Sequence, residues 1–247
     1  MRVLIVNTSE KTGGAAVAAN RLMEALKNNG VKAKMLVRDK ETDRITVVGL
    51  HSPASQQRHF LWERLVIFFY THFSREHLFE IDIANAGTDI TTLREFKEAD
   101  VIHLNWINQG MLSLKGIRKI LDSDKPVVWT LHDAWPATAI CHYTHNCDKY
   151  KTQCHNCQLL PGGGSKHDLS TRVWVRKKRM MAGRSIHFVT CSRWLEGVVK
   201  QSALLTGQSI TSIPNPIDTR AFYPTDKRDA RMAAGLPLDK HVVLFVS

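Results

Sequence analysis

Long apolar runs are missing from this chain of 247 residues. The longest, residues 65–70, is far shorter than the ~20 apolar residues that a helix needs to cross a membrane. The first ten residues also lack the longer apolar stretch and the small-residue cleavage site of a secretory signal. We therefore expect a cytoplasmic protein whose thiols are kept reduced.

Acidic residues are also scarce, with 23 Asp and Glu against 34 Lys and Arg and a net charge of +11. Such a basic surplus suits nucleic acid, an anionic membrane surface or a phosphorylated ligand, and does not choose among them. The few carboxylates form no clear pair of the kind that flanks a bond in glycoside hydrolysis, so that chemistry is not favoured. Internal repeats and low-complexity segments are absent as well.

What the chain does contain is an alternation of apolar runs, typical of buried parallel strands, with segments of helical periodicity. Strands are predicted at residues 2–6, 31–37, 100–104, 126–131, 185–191 and 210–213, and helices at residues 16–29, 113–121, 169–181 and from Ser192 onward. This order predicts an α/β fold with a Rossmann-like, doubly wound parallel sheet.

The predicted sheet extends over residues 1–213 and carries a cysteine-rich insert at residues 133–168. The proline-rich residues 214–225 are then a passage between domains, and residues 226–247 are the truncated start of a second domain. The apolar run at residues 241–247 favours this division, because it is typical of a first parallel strand with nothing after it to pair with. We therefore expect the chain to be a fragment of a longer protein.

A short glycine loop, Gly13-Gly14, separates the first strand from the first helix. The amides of such a loop, together with the positive end of the helix that follows, can meet a phosphate group. The alternative is that the two glycines only permit a tight turn. The loop is not a G-x-G-x-x-G sequence and no acid stands where a ribose would need one, which argues against a dinucleotide dehydrogenase.

Polar residues follow the apolar runs at five predicted strand ends. They are Asn7-Thr8-Ser9, Asn105-Trp106-Ile107-Asn108, His132-Asp133, Ser192-Arg193 and Asn215. Ligands of open parallel sheets lie beyond the carboxyl ends of the strands, so these groups predict a rim suited to a polyhydroxylated ligand. His132 is the strongest candidate, because it ends its strand and is followed by an acid and a proline. Asp133 can equally cap a turn.

Four motifs in order resemble the retaining glycosyltransferases of family 4. They read NTSEKTGGAA, TLHDAWP, VTCSRWL and IPNPIDTRAFYP, and they extend from the first strand into the predicted passage. The resemblance implies a GT-B fold, in which two Rossmann-like domains face each other across a cleft. This chain then supplies the N-terminal, acceptor-binding domain of a bacterial polysaccharide-type enzyme. The missing second domain binds the nucleotide-sugar donor, so the fragment alone is expected to be inactive.

The same resemblance implies roles for individual residues. Gly13 and Gly14 would lie beside the donor phosphates or the acceptor, and His132 would hydrogen-bond the transferred sugar. Asp133, at the same strand end as His132, is the second candidate catalytic residue. The remaining substrate-binding positions are Asn105, Trp106 and Asn108 on the acceptor side, Ser192 at a helix N-terminus on the cleft floor, and Asn215. Transfer would keep the anomeric configuration and build cell-surface polysaccharide on a glycan or lipid-linked acceptor.

Four of the five cysteines lie close together in the insert. They are Cys141, Cys147, Cys154 and Cys157, and the last two form a C-x-x-C pair. Four thiolates are a typical ligand set for structural zinc, which leaves no open position for catalysis, so no catalytic cofactor is expected. Two disulfides and free thiols remain as alternatives, the first weakened by a reducing compartment. Cysteine-bearing inserts also occur in a bacterial branch of the family that it resembles.

Residues 57–80 form an aromatic-rich segment that is predicted to be helical. An amphipathic helix resting on a membrane would suit a lipid-linked acceptor and a peripheral location. We favour a helix packed on the sheet, because soluble proteins bury such residues routinely.

Two other functions compete with sugar transfer. The first is a nucleic-acid-binding module stabilised by zinc, which the basic cluster at residues 172–184 would favour. A solvated helix face explains that cluster more simply. A sugar-nucleotide epimerase would have the same two-domain architecture. The resemblance favours the transferase, with a nucleotide sugar and an acceptor as its partners and no nucleic acid.

Overall fold

Seven parallel strands form one sheet in the computed structural model, which describes residues 1–245. They are β1 (Arg2–Ser9), β2 (Lys32–Asp39), β3 (Val47–Gly49), β4 (Val101–Leu104), β5 (Val127–Leu131), β6 (His187–Thr190) and β7 (Ser209–Ser212). Their order is β3-β2-β1-β4-β5-β6-β7. The predicted α/β class with a doubly wound parallel sheet is thereby confirmed.

Six α-helices fall between the strands, and a seventh follows β7 among the described residues. They are α1 (Gly14–Asn28), α2 (Pro53–Tyr70), α3 (Arg94–Glu98), α4 (Leu114–Leu121), α5 (Leu169–Met181), α6 (Arg193–Val199) and α7 (Lys227–Ala233). Among the described residues, no helix is long and apolar enough to cross a membrane. Strand β3 was not predicted, because three residues are too few to show an apolar period.

The interior strand β1 contributes to two apolar cores, one on each face of the sheet. Val3 and Ile5 pack with Met23 of α1, whereas Leu4 and Val6 belong to a larger core with residues of the later helices. Successive side chains of a strand point to opposite faces, so a continuous apolar run is what a strand covered on both sides requires.

The register of the sheet brings the carboxyl ends of the strands together. Val6 pairs with Leu104, Leu104 with Trp129, Leu131 with Thr190, and Thr190 with Ser212. Because all pairs are parallel, the polar residues that follow each of these strands emerge at one edge of the sheet.

Helix α2 corrects one prediction. The segment is helical only to Tyr70, and residues 71–80 form turns. The helix packs on the domain, where Gln56, Glu63, Arg64 and Ile67 are buried, and it leaves Leu61, Trp62, Leu65 and Phe69 exposed. The expected packing of the helix is therefore present, but the expectation that its aromatic residues are buried is wrong for Trp62 and Phe69.

The basic cluster at residues 172–184 also differs from the solvated face that was expected. Lys177 of α5 is fully buried, and its ammonium donates to the carbonyl oxygens of Trp135 at 2.6 Å and Thr138 at 3.1 Å. It also lies 3.3 Å from the centroid of the Trp135 ring. Lys177 therefore anchors the turn that follows His132 and Asp133, whereas Arg172, Arg176 and Arg179 of the same helix are exposed.

The chain divides into two units, residues 1–216 and 217–247, at a point inside the predicted passage 214–225. Of the second unit, α7 is the regular element in the described part, with Asp226 accepting from the amides of Arg228 and Asp229 at its N-terminus. Residues 241–245, the start of a predicted strand, pair with no strand among the described residues. Val246 and Ser247, the end of that predicted strand, lie outside the described residues.

Candidate functional site

A cleft of about 850 Å³ opens at the carboxyl ends of the central strands. Its lining comes from the loops after β1, β2, β4, β5 and β6 and from the end of the first unit: Asn7, Thr8, Ser9, Thr12, Gly13, Gly14, Ala15, Arg38, Asp39, Glu41, Trp106, Gln109, His132, Asp133, Tyr143, Cys191 and Asn215. The cleft combines backbone amides, amide and hydroxyl side chains, an imidazole and carboxylates.

Six of the predicted site residues line this cleft together. They are Gly13, Gly14, Trp106, His132, Asp133 and Asn215. The other three lie beneath or beside it. Asn105 and Asn108 are buried, and Ser192 caps α6 by accepting from the amide of Leu195 at 3.2 Å. Cys191, the neighbour of Ser192, is the residue that reaches the cleft.

The glycine loop presents the N-terminus of α1 to the cleft. Gly13 has φ +88° and ψ 162°, a backbone conformation almost restricted to glycine, and no side chain caps the helix. No acidic residue occupies the first turn. The first amides of α1 and the positive end of the helix dipole therefore face open space that suits an anion.

The loop before α1 is held rigidly by carboxylates. Glu10 is buried and accepts from the amides of Glu41 at 2.7 Å and Thr42 at 2.9 Å and from the Thr42 hydroxyl. Burial acts to raise the pKa of Glu10, but these hydrogen bonds outweigh it and lower the pKa. Glu41 in turn accepts from the hydroxyl of Ser9 and the amide of Lys11. The glycine loop is thus fixed before any ligand arrives.

His132 is oriented by a buried amide. Its Nε2 lies 3.1 Å from Oδ1 of Asn105. Because that oxygen carries no proton, Nε2–H donates, and Nδ1 keeps its lone pair. Burial lowers the pKa of His132, with Asp133 acting in the opposite direction, so the ring is neutral at neutral pH. His132 therefore offers the cleft a hydrogen-bond acceptor.

Asp133 is engaged by donors of the protein on both carboxylate oxygens. Oδ2 accepts from Trp106 Nε1 at 2.9 Å and lies 2.7 Å from His142 Nδ1, and Oδ1 accepts from the amide of Trp135 at 2.9 Å. Burial acts to raise the pKa of Asp133, but these hydrogen bonds prevail and lower it. Asp133 is therefore an anion that positions the indole of Trp106 and the turn after β5.

The side chains of Asn7 and Thr8 join the loop after β1 to the loop after β4. Oδ1 of Asn7 accepts from the amide of Trp106 at 3.0 Å, and Thr8 Oγ1 donates to the carbonyl of Asn108 at 3.1 Å. The Nδ2 atoms of Asn105 and Asn108 are buried without a hydrogen-bond partner in the protein. Buried polar groups normally have a partner, so two amide donors stand unused beneath the cleft.

The main cleft residue that the sequence did not reveal is Arg38 at the end of β2. Its guanidinium pairs with Asp39 at 2.9 and 2.6 Å, donates to the carbonyl of Gln109, and lies 5.7 Å from the Phe60 ring. The signal was available, because Val37-Arg38-Asp39 ends a strand next to β1. Asp39 at this strand end also corrects the expectation that no acid stands where a ribose would need one, because it lines the cleft.

The cysteine insert lies beside the cleft. All four of its cysteines are free thiols, and burial raises the pKa of Cys154 to about 12 and that of Cys157 to about 11. Within residues 1–245, no group of three or more His, Cys, Asp or Glu side chains is arranged to hold a metal ion. The zinc site therefore stays a prediction.

The site as a whole can hold an anion against the backbone amides at the α1 N-terminus and hydroxyl groups against an imidazole nitrogen and carboxylates. Glu41 lies beside the glycine loop, where it accepts from Ser9 and Lys11. The Trp106 indole, locked by Asp133, adds an aromatic face. No two carboxylates stand ready as an acid–base pair, since Asp133 is fully engaged and Asp39 is paired with Arg38.

Comparison with known proteins agrees with this description. Residues 12–221 match the model of the family described as Glycosyltransferase Family 4. Over 66 residues the chain is 33% identical to the putative colanic acid biosynthesis glycosyl transferase WcaC of Escherichia coli (strain K12). That alignment covers 24% of this chain and 16% of WcaC.

Among solved structures, the chain is similar to an alpha-glucosyltransferase in complex with UDP and a 13-mer DNA containing a HMU base. The identity is 11% and the TM-score 0.37, with 92% of this chain and 46% of that chain covered. At this TM-score the likeness carries no argument. The chain spans less than half the length of either relative.

Proposed function

Because this chain belongs to glycosyltransferase family 4, we propose that it forms the acceptor-binding domain of a retaining glycosyltransferase. The enzyme transfers a sugar from a nucleotide-sugar donor to a glycan or lipid-linked acceptor in cell-surface polysaccharide synthesis. The observation that carries the proposal is the single cleft into which five loops deliver an uncapped helix N-terminus and a neutral histidine.

The donor diphosphate approaches the N-terminus of α1. Gly13 and Gly14 present no side chain, and a Cβ placed on either would meet no atom within 4 Å, so there is room for phosphate oxygens against the backbone. Amides and the helix dipole stabilise negative charge most strongly where water is excluded. A donor-binding partner domain that closes over the cleft would exclude water from it.

The transferred sugar meets His132. A sugar hydroxyl donates to Nδ1, while Asn105 fixes the ring from behind through Nε2. Because the neutral ring does not repel the cationic character that develops at the anomeric carbon, the low pKa of His132 favours this role.

The reaction keeps the anomeric configuration when the acceptor attacks from the face that the diphosphate leaves. The bond between the anomeric carbon and the phosphate oxygen breaks, and a bond from the acceptor oxygen to that carbon forms. The departing phosphate takes the acceptor proton, so no protein carboxylate is needed as nucleophile. The rate gain then comes from stabilising the diphosphate and from orientation.

The acceptor occupies the side of the cleft formed by Asp39 and Gln109 next to the Trp106 indole. Carboxylate and amide oxygens accept from hydroxyl groups, and the indole offers an apolar face to a sugar ring. The likeness to WcaC over 66 residues supports a polysaccharide product.

An assay of the full-length protein tests this proposal. Nucleotide sugars with different bases and sugars are incubated with and without glycan and lipid-linked acceptors. We expect acceptor-dependent release of the nucleoside diphosphate and, by NMR, a product with the anomeric configuration of the donor. Inversion contradicts the retaining mechanism, and isomerisation of the nucleotide sugar without an acceptor supports the epimerase alternative.

A further inference from the structure

A smaller pocket of about 250 Å³ adjoins the main cleft. Trp106, Asp133 and Tyr143 line both cavities, so the two are direct neighbours. Most of the other walls of the small pocket come from the cysteine insert, and the remainder from Phe79 and Glu80 in the turns after α2. We call this cavity the insert pocket. The chemistry proposed for the main cleft makes no use of it.

Aromatic rings give the insert pocket its apolar surface. Phe79 is 61% and Tyr143 60% exposed, and the Trp106 indole completes the set. Asp133 accepts from the indole at 2.9 Å, and the His142 ring lies 5.8 Å from the indole at an angle of 32°. Exposed aromatic side chains gathered in a concave site are typical of ligand binding, and their faces suit the apolar face of a sugar ring.

The polar groups of the insert pocket suit a neutral ligand. They are the Tyr143 hydroxyl, the His145 imidazole and the carboxylate of Glu80, which lies 3.2 Å from Nδ1 of His77. Of the described residues, no lysine or arginine lines the pocket. A phosphate would therefore meet a carboxylate there and no ammonium or guanidinium group, whereas the hydroxyl groups of a sugar find both acceptors and donors.

The walls of the insert pocket are fixed to the rest of the domain. Cys141 forms an antiparallel bridge with Ile81, and its carbonyl accepts from the Thr138 hydroxyl at 2.6 Å. The amide of Ala134 donates to the carbonyl of His142 at 2.8 Å. A ligand that enters a preformed site does not have to order its walls, which saves free energy of binding. The insert pocket is therefore a preformed site and not a gap between loose loops.

We propose that the insert pocket binds the second sugar unit of a glycan acceptor while the terminal unit lies in the main cleft. This inference rests on the proposed sugar transfer and narrows its acceptor to a glycan of at least two sugar units. The Trp106 indole borders both positions, since it lines both cavities. The cysteine insert then contributes to the choice of acceptor and not to the transfer step itself.

Kinetics of the full-length enzyme with acceptors of increasing length test the inference. The probes are the methyl glycosides of the terminal mono-, di- and trisaccharide of the acceptor that is active in the assay above. We expect the KM for the acceptor to fall about tenfold from the monosaccharide to the disaccharide, because the second ring enters the insert pocket. From the disaccharide to the trisaccharide it should fall by less than about twofold, because the pocket holds one further ring.

Variants of the insert pocket show whether it causes this difference. Phe79→Ala and Tyr143→Ala are each expected to raise the KM for the disaccharide about fivefold more than the KM for the monosaccharide, because each removes an aromatic face. Both side chains are more than half exposed, so the fold persists, which circular dichroism verifies. The matched control Phe73→Ala removes a phenyl ring that is 62% exposed and does not line the pocket, so it should keep the parent ratio of the two KM values.

The outcomes separate this inference from the proposed function. An active acceptor of one sugar unit, equal KM values for the mono- and disaccharide, or a ratio that Phe79→Ala and Tyr143→Ala leave unchanged overturns the inference while sugar transfer stands. An equal change in Phe73→Ala, or a higher KM for the donor alone in the two pocket variants, also overturns it. Absence of transfer to every acceptor overturns the proposed function, and the inference falls with it.

Discussion

Helices α1 and α2 both pack on the first unit, but they bury different kinds of side chain. Helix α1 buries Ala16, Ala19 and Met23 and exposes Lys27 and Asn28, as an ordinary amphipathic helix does. Helix α2 buries a carboxylate and a guanidinium and exposes an indole and a phenyl ring. The first helix is therefore held by hydrophobic burial alone, and the second by a buried polar network together with the buried Ile67.

The difference separates two tasks. Helix α1 turns its uncapped N-terminus toward the cleft, and its apolar packing keeps that end in place. Helix α2 takes no part in lining the main cleft, and its network leaves apolar side chains exposed. The predictions that follow test each side of this contrast, in order of decreasing effect.

The largest effect is expected from Arg64→Ala on the inner face of α2. The change leaves Asp82 without its cation and two carbonyl oxygens without a donor, so the free energy of unfolding should fall by about 3–5 kcal/mol. Chemical denaturation measures it, with the exposed Arg58→Ala as control. Equal effects at the two arginines would show that α2 is not held by its buried network.

Met23→Ala tests the ordinary helix in the same way. Met23 is fully buried in α1, so its truncation should cost about 2–5 kcal/mol. The matched change in α2, Leu65→Ala, removes an exposed side chain and should stay within about 0.5 kcal/mol. A large loss of stability for Leu65→Ala would mean that the outer face of α2 is covered within the protein.

Neighbouring glycines at the start of α1 are expected to respond differently. Gly13→Ala forces φ +88° on an alanine and should lower stability by about 1–3 kcal/mol. Gly14 has no positive φ, so Gly14→Ala should leave the melting temperature nearly unchanged while its methyl group enters the cleft. In the full-length enzyme we expect a higher KM for the donor with Gly14→Ala. An unchanged KM would remove the diphosphate from this end of the cleft.

Glu63 gives the smallest change per step measured, at most about 1.4 kcal/mol per pH unit, and it is visible as a pH dependence. Burial and the neighbouring Asp82 raise its pKa from 4.5 to about 8 and outweigh the guanidinium of Arg64, which lies 3.4 Å from Oε2 and acts to lower it. The folded state then keeps a proton that the unfolded chain loses above pH 4.5. The free energy of unfolding should therefore fall between pH 4.5 and 8, by at most about 1.4 kcal/mol per pH unit.

The variant Glu63→Gln isolates this contribution. Denaturation of the parent chain and the variant across pH 5–8 should give the flatter profile for the variant. Parallel profiles would contradict a protonated Glu63 in the folded protein.

The sequence was sufficient to predict the sheet because its strands are buried on both faces. The continuous apolar runs of β1 and β5 and the helical spacing in α4 follow directly from that burial. The ends of those runs then place His132 and the glycine loop at one edge, and the structure brings them into one cleft. Only the three-residue β3 gave no signal.

The sequence could not show which polar residues are buried in the interior or which partners they contact there. In the sequence Lys177 is one of several basic residues of α5. Its position, however, falls on the same buried helix face as Val173, Trp174 and Met180. For α2 the assumption that aromatic residues pack inward was wrong, because the carboxylate partners of Arg64 come partly from a distant turn at Asp82. Such pairings depend on tertiary structure and leave no period in the sequence.

The central claim, that the cleft at the strand ends holds the transferred sugar through His132, is tested most directly by the kcat/KM of His132→Ala in the full-length enzyme. We expect a fall of about 100- to 1,000-fold with an unchanged melting temperature, as for removal of a group that stabilises a transition state. The control Lys200→Gln should retain the parent value. A fall of less than about threefold for His132→Ala, below 1 kcal/mol of transition-state stabilisation, would contradict the account.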